Sequence, residues 1–218
     1  MMMALALNDM IRTGTAALAL AAVLGGAAQA QSGPDRGVFI SQIGNTNNAT
    51  VTQRNGDSRI AIEQDGQDND VELVQEGGAT HSAQIVQNGD GNDASARQEG
   101  NGSTELVLGQ NGDDNSASVL QRENSGAMTS LAAIQQSGNG NRLVLVQDGS
   151  DNQADLSQTG DDNTMTATQL NDGNRLGWAQ NGDGLTDLQI LQTGNSNLQI
   201  TQSSTGAQFA PPPPGSGG

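Results

Sequence analysis

Between Asn47 and Gln53 the residues Asn47, Ala49, Val51 and Gln53 fall at every second position, and the intervening Asn48, Thr50 and Thr52 are all polar. Alternation with period two predicts a strand whose two faces differ, one a thin apolar stripe edged by amides, the other polar. The residues before it, Gly44-Asn45-Thr46-Asn47, have turn composition, so Gln42 to Gln53 reads as one turn followed by one strand. The same stripe recurs as Ile60 and Ile62, Val71 and Leu73, Ala94 and Ala96, Ala117 and Val119, Leu143 and Leu145, Ala154 and Leu156, Met165 and Ala167, and Leu176 and Trp178. Ala83 and Ile85, Leu106 and Leu108, and Leu188 and Ile190 continue it after one-residue shifts.

Three residue types keep register with the stripe. Glutamine stands at Gln42, Gln53, Gln64, Gln75, Gln87, Gln98, Gln110, Gln121, Gln136, Gln147, Gln158, Gln169, Gln180, Gln192 and Gln202. Glycine follows two residues later at most of them, and asparagine five residues later at Asn47, Asn69, Asn92, Asn115, Asn141, Asn152, Asn163, Asn174 and Asn197. In the second, fourth, sixth and eighth units the asparagine is replaced, at Ser58, His81, Thr104 and near Gly126. The structural repeat is therefore a pair of units, two strands and two inequivalent turns. A two-strand rung cannot bury its own inner face, whereas stacked rungs cover one another.

The fold expected is all-β: a β-solenoid of about seven stacked strand-arc-strand rungs in two parallel sheets, cross-β in character, with Val38 to Gln42 as a leading strand. Buried amides are costly unless paired. Stacked at the strand spacing, each Gln or Asn side chain can donate to one neighbour and accept from the other, and those residues are the expected structural ladder. Ordinary surface amides would not keep phase with an apolar stripe. From Arg122 to Gln135 the expected glycine is absent and about four residues are inserted, which predicts a bulge or loop in the rung through Ala127, Met128, Leu131 and Ile134.

Composition changes this picture in three places. Residues 1–30 end in an apolar run from Thr15 to Leu24 and the small-residue pattern Ala28-Gln29-Ala30, which read as a secretory signal peptide. Residues 31–37 form a short segment before a repeat region at 38–202. Residues 203–218 lose the pattern, and Pro211 to Pro214 cannot join a ladder, so a disordered Pro/Gly-rich tail is expected. No later segment is apolar enough to span a membrane. The chain has no Cys and only Phe39, Trp178 and Phe209 as aromatics, so neither disulfides nor an ordinary globular core can hold it.

The tandem pattern Gln-x-Gly-x-x-Asn-x-Ala-x-x-x-Gln behind a secretory signal resembles the curlin repeats of curli subunits, the proteins of bacterial functional amyloid. It spans roughly Val38 to Gln202 and is closest at Gln42–Gln53, Gln110–Gln121, Gln147–Gln158 and Gln158–Gln169. The resemblance implies export through outer-membrane secretion machinery, folding outside the cell, and polymerisation with itself and with a curli-type nucleator or major subunit. It also implies that the inward Gln and Asn form the stacking ladder. No cofactor or metal is implied, and localisation would be extracellular or on a cell-surface fibre.

A net charge of −16 arises from 24 acids against eight basic residues, all Arg, which argues against a nucleic-acid partner. Aspartates recur in the turns, as in Asp90-Gly-Asn-Asp93 and Asp113-Asp114, so stacking should align them in columns whose repulsion restrains assembly. Those turns also motivate an alternative, a calcium-binding secreted β-solenoid adhesin, although the 11-residue period differs from the nine-residue calcium-binding repeat. Enzymatic activity is not expected. His81 is the one histidine and reads as a turn residue, no Gly-x-Ser-x-Gly elbow occurs, and Trp178 reads as core filling.

Overall fold

The computed structural model describes residues 18–23, 36–54, 57–204 and 206–210. In chain order the strands are β1 (Leu18–Val23), β2 (Gly37–Ile43), β3 (Asn48–Gln53), β4 (Arg59–Asp65), β5 (Asp70–Gly77), β6 (His81–Asn88), β7 (Asp93–Gly100), β8 (Ser103–Asn111) and β9 (Ser116–Glu123). They continue as β10 (Thr129–Ser137), β11 (Arg142–Asp148), β12 (Gln153–Thr159), β13 (Thr164–Leu170), β14 (Arg175–Asn181), β15 (Ile190–Thr193), β16 (Asn197–Ser203) and β17 (Gly206–Ala210). From β2 to β16 the even-numbered strands form one parallel sheet and the odd-numbered strands β3 to β15 the other. The chain thus winds as a β-solenoid of about seven turns, crossing between the sheets after every strand.

The register is set by the apolar stripe. Ile60 pairs with Val38 and Ala83, and Leu143 with Ala117 and Met165, so each apolar position stacks on its own kind. A slip by one residue would turn the whole stripe to solvent. The inner faces meet in one core running the length of the stack, with Ile60, Leu73, Ile85, Leu106, Leu143, Leu156, Met165 and Trp178 buried. Trp178 is 1% exposed between Leu156 and Ile200, as core filling requires.

The arcs explain the glycine column. Gly112 has φ +118°, and a Cβ placed on it would lie 2.2 Å from the carbonyl oxygen of Gly138 in the next rung. Both the backbone conformation and the rung spacing therefore demand glycine there. The insertion after Arg122 is accommodated between β9 and β10, with Met128 49% exposed, while Gln121 still pairs with Gln147 across the longer interval.

Three features depart from the sequence expectation. Ser203 closes β16, and Gly206–Ala210, expected in the disordered tail, forms β17, which pairs antiparallel with β16 and puts Ile200 opposite Phe209. Two residues link β16 and β17, enough for a hairpin, and the chain had no repeat signal to announce it. The expected leader lies mainly outside the described residues, but its segment Leu18–Val23 is β1, antiparallel to β3. The last rung is also irregular: β15 pairs with β13 over only Ile190–Thr193, because Asp187 takes the Thr166 amide through its side chain and Gln189 sits at φ +51°.

Candidate functional site

The inward glutamines form two continuous columns. In the sheet of even strands, Gln42 Nε2 donates to Gln64 Oε1 at 2.6 Å, and the same bond repeats from Gln64 to Gln87, Gln110, Gln136, Gln158, Gln180 and Gln202 at 2.8–3.1 Å. In the other sheet Gln53, Gln75, Gln98, Gln121, Gln147, Gln169 and Gln192 are linked in the same way, at 3.4 Å for the first bond and 2.7–3.0 Å for the rest. From Gln64 onward the remaining amide hydrogen goes to a backbone carbonyl across the core, as from Gln64 to Asn48 and from Gln75 to Arg59. Every link is donated toward the later rung. Each column is thus a row of aligned amide dipoles with its donor end at the C-terminal end of the stack.

One arc carries the asparagine column Asn47, Asn69, Asn92, Asn115 and Asn141, linked at 3.0–3.2 Å, and here the later residue donates to the earlier. The asparagine dipoles therefore run opposite to the glutamine dipoles. Asn163 extends this column through its backbone amide to Asn141 Oδ1. Its own oxygen accepts from the amide of Leu185, and its Nδ2 has no partner among the described residues.

The other arc carries the replacements, and the structure brings them into one buried column of Ser58, His81, Thr104, Ser130, Asn152 and Asn174. His81 is not a stray turn residue: it opens β6, is 0% exposed, and contacts Thr104 Oγ1 through Nδ1 at 2.9 Å and the Glu76 carbonyl through Nε2 at 3.2 Å. Desolvation by burial lowers its pKa from the ordinary histidine value. The column ends at Ser196, whose amide donates to Asn174 Oδ1, and not at Asn197, which is exposed opposite Arg175. The turn before β16 is one residue shorter than the count from Gln192 assumed. Sequence reading also missed Glu123, fully buried where its neighbours above and below have Gly100 and Gly149. Its carboxylate accepts from Ser130 Oγ at 2.8 Å and from the amides of Ser125 and Asp151 at 2.9 Å, closing the inserted loop.

On the surface the acids are placed in two ways. Turn aspartates do align in a column, but each accepts a backbone amide of the preceding rung: Gln67 donates to Asp90, Asp90 to Asp113, Asp113 to Asn139, Asn139 to Asp161 and Asp161 to Asp183, at 2.7–2.9 Å. Beside the strands of the odd sheet an alternating ion-pair chain runs Arg54, Glu76, Arg97, Glu99, Arg122, Asp148. Burial pushes the Glu99 carboxyl up, but the hydrogen bonds and charges of Arg97 and Arg122 outweigh it and hold the pKa below the usual value. At Asp93, burial and the nearby Asp70 and Glu72 charges push it up.

The ends of the stack are its unsatisfied surfaces. β2 and β15 are edge strands with no neighbour beyond them among the described residues. Gln42 is 2% exposed, yet its Oε1 has no hydrogen-bond partner among the described residues. Among those residues no group of three or more His, Cys, Asp or Glu is placed to hold a metal ion, and no helix is long and apolar enough to cross a membrane.

The family model of the curlin associated repeat matches residues 138–170, the stretch covering β11, β12 and β13 with the glutamines Gln147, Gln158 and Gln169. No curated protein and no solved structure matches the chain. The curlin repeat and the solenoid together mark a structural protein.

Proposed function

We propose that this chain is a secreted structural subunit that self-assembles head-to-tail into extracellular, curli-like amyloid fibres serving biofilm matrix, adhesion and surface colonisation. The observation that carries this reading is the pair of open stack ends with matched polarity. Among the described residues, one end presents the uncovered edge of β2 and the buried Oε1 of Gln42, which no donor reaches; the other presents the uncovered edge of β15 and the donor ends of the glutamine columns. Exposed strand edges template further strands, and an end-to-end contact between unlike surfaces does not close into a ring. The amide columns act as the register for each added copy. The match to the curlin repeat supports export by outer-membrane secretion machinery and contact with a nucleator or major subunit as part of this reading.

The test is to dilute residues 31–218 from denaturant into calcium-free buffer and follow thioflavin T fluorescence, electron microscopy and fibre diffraction. Unbranched fibres with reflections near about 4.8 and 10 Å are expected. A monomer that stays soluble until Ca²⁺ is added would replace this reading with the calcium-dependent adhesin.

A further inference from the structure

With the antiparallel end strands β1 and β17 set aside, the parallel strands among the described residues number eight in the even sheet and seven in the odd one. The solenoid therefore ends half a turn out of phase with its start: β16 lies in the sheet of β2, with no odd-sheet strand in its own layer. A second copy that only translates along the axis would lay its β2 on β16. One strand position would then stand empty between β15 and the incoming β3. A copy also rotated by half a turn leaves no gap, because its β2 lands on β15 and its β3 on β16.

The two sheets offer equivalent seats for that exchange. Gln64 and Gln75 lie in different sheets, and each sends its second amide hydrogen to a carbonyl 16 residues earlier. A glutamine arriving in either sheet therefore meets the same surroundings. Polarity matches as well: Gln192 ends its column with one amide hydrogen on Arg175 O at 2.9 Å and a contact of only 3.3 Å to Ser196 O. Gln42 offers an acceptor that is unpaired among the described residues. The same placement sets Asn47 next to Ser196, at the end of the Asn152 and Asn174 column. Finally, among the described residues β15 and β2 are the uncovered edges, whereas β16 is covered by β17 and β3 by β1.

We infer that successive copies of this chain stack head-to-tail with a half-turn about the fibre axis, β2 of the incoming copy pairing with β15 in the register that sets Gln42 against Gln192. The inference rests on the self-assembly reading above. Docking begins at β15, and β3 of the incoming copy meets β16 once β17 has left the β16 edge and β1, which lies within the expected leader and outside residues 31–218, no longer covers β3.

The chain has no cysteine, so paired cysteines report the register directly. Leu191 and Thr201 are both exposed and each directly precedes the last glutamine of its column, as Ser41 precedes Gln42. In the half-turned stack Ser41 of one copy lies opposite Leu191 of the next; in the untwisted stack it lies opposite Thr201. Residues 31–218 carrying S41C with L191C, or S41C with T201C, are assembled, oxidised and separated on a denaturing gel without reductant. The expected result is a ladder of covalent oligomers from S41C/L191C, collapsed by dithiothreitol, and monomer from S41C/T201C. The reverse pattern, or fibres from both variants with no cross-linked ladder from either, overturns the half-turn and leaves the fibre reading standing. Failure of the unsubstituted chain to form fibres overturns both.

Discussion

His81 Nδ1 lies 2.9 Å from Thr104 Oγ1 inside a column where the matching positions in later rungs are Asn152 and Asn174. With Nε2 directed at the Glu76 carbonyl, the ring fits as the neutral tautomer that donates through Nε2 and accepts from the threonine hydroxyl. Burial lowers the folded-state pKa, so the unfolded chain binds the proton more readily. The stability this site contributes is complete above the ordinary value near 6.5 and is lost as pH falls below it toward the lowered folded value. His81→Asn, which restores the repeat residue, should remove that dependence. Urea unfolding of both chains at several pH values between 5 and 7.5 checks this, with the wild type losing stability relative to the variant on the acid side.

Gln110 stands mid-column, accepting from Gln87 and donating to Gln136. Gln110→Leu keeps the volume but strands a buried donor and a buried acceptor, so a loss of about 2–5 kcal/mol is expected. Gln53, half-buried and bonded to Gln75 at 3.4 Å at the end of the other column, should lose less on the same change. Equal losses in chemical unfolding would contradict the ladder as a source of stability.

Gly112→Ala combines a left-handed φ with a Cβ 2.2 Å from a backbone oxygen. It should cost about 3 kcal/mol or more and loosen the arc it occupies. Gly184, also at positive φ but with open space around a Cβ, should cost less, only the backbone term. Thermal unfolding of the two variants separates conformational strain from crowding.

Asp93 is pushed up by burial and by the Asp70 and Glu72 charges, so it opposes folding while ionised and ceases to do so as pH falls through its raised folded-state pKa. Asp93→Asn should therefore stabilise the fold at pH 7 and have no effect near pH 3. With a net charge of −16 at pH 7, the smaller negative charge on acidification should shorten the lag of fibre growth near pH 4 relative to pH 8. Equal lag times at the two pH values would remove charge repulsion as the restraint on assembly.

What the sequence determined was the repeat and its faces. Period-two alternation decides which residues of each strand turn inward, and the spacing of Gln, Gly and Asn decides that like stacks on like, so the two-sheet solenoid, the core and the glutamine columns were legible from residues such as Ala49, Val51 and Gln53. Tertiary structure decided what lies between and beyond the repeats. A turn one residue shorter moved the column's end from Asn197 to Ser196, because side-chain position there follows the path of the arc and not the count from Gln192. His81, Glu123 and Ser130 resemble turn and loop residues in sequence, and only the stacking of one arc on the next makes them buried partners. The antiparallel pairing of β17 lies beyond the last repeat, and the opposed polarity of the Gln and Asn columns and the half-rung offset at the ends are relations among rungs, the columns being joined by hydrogen bonds between residues some 22 or more positions apart. Alternation along a single strand carries no record of them.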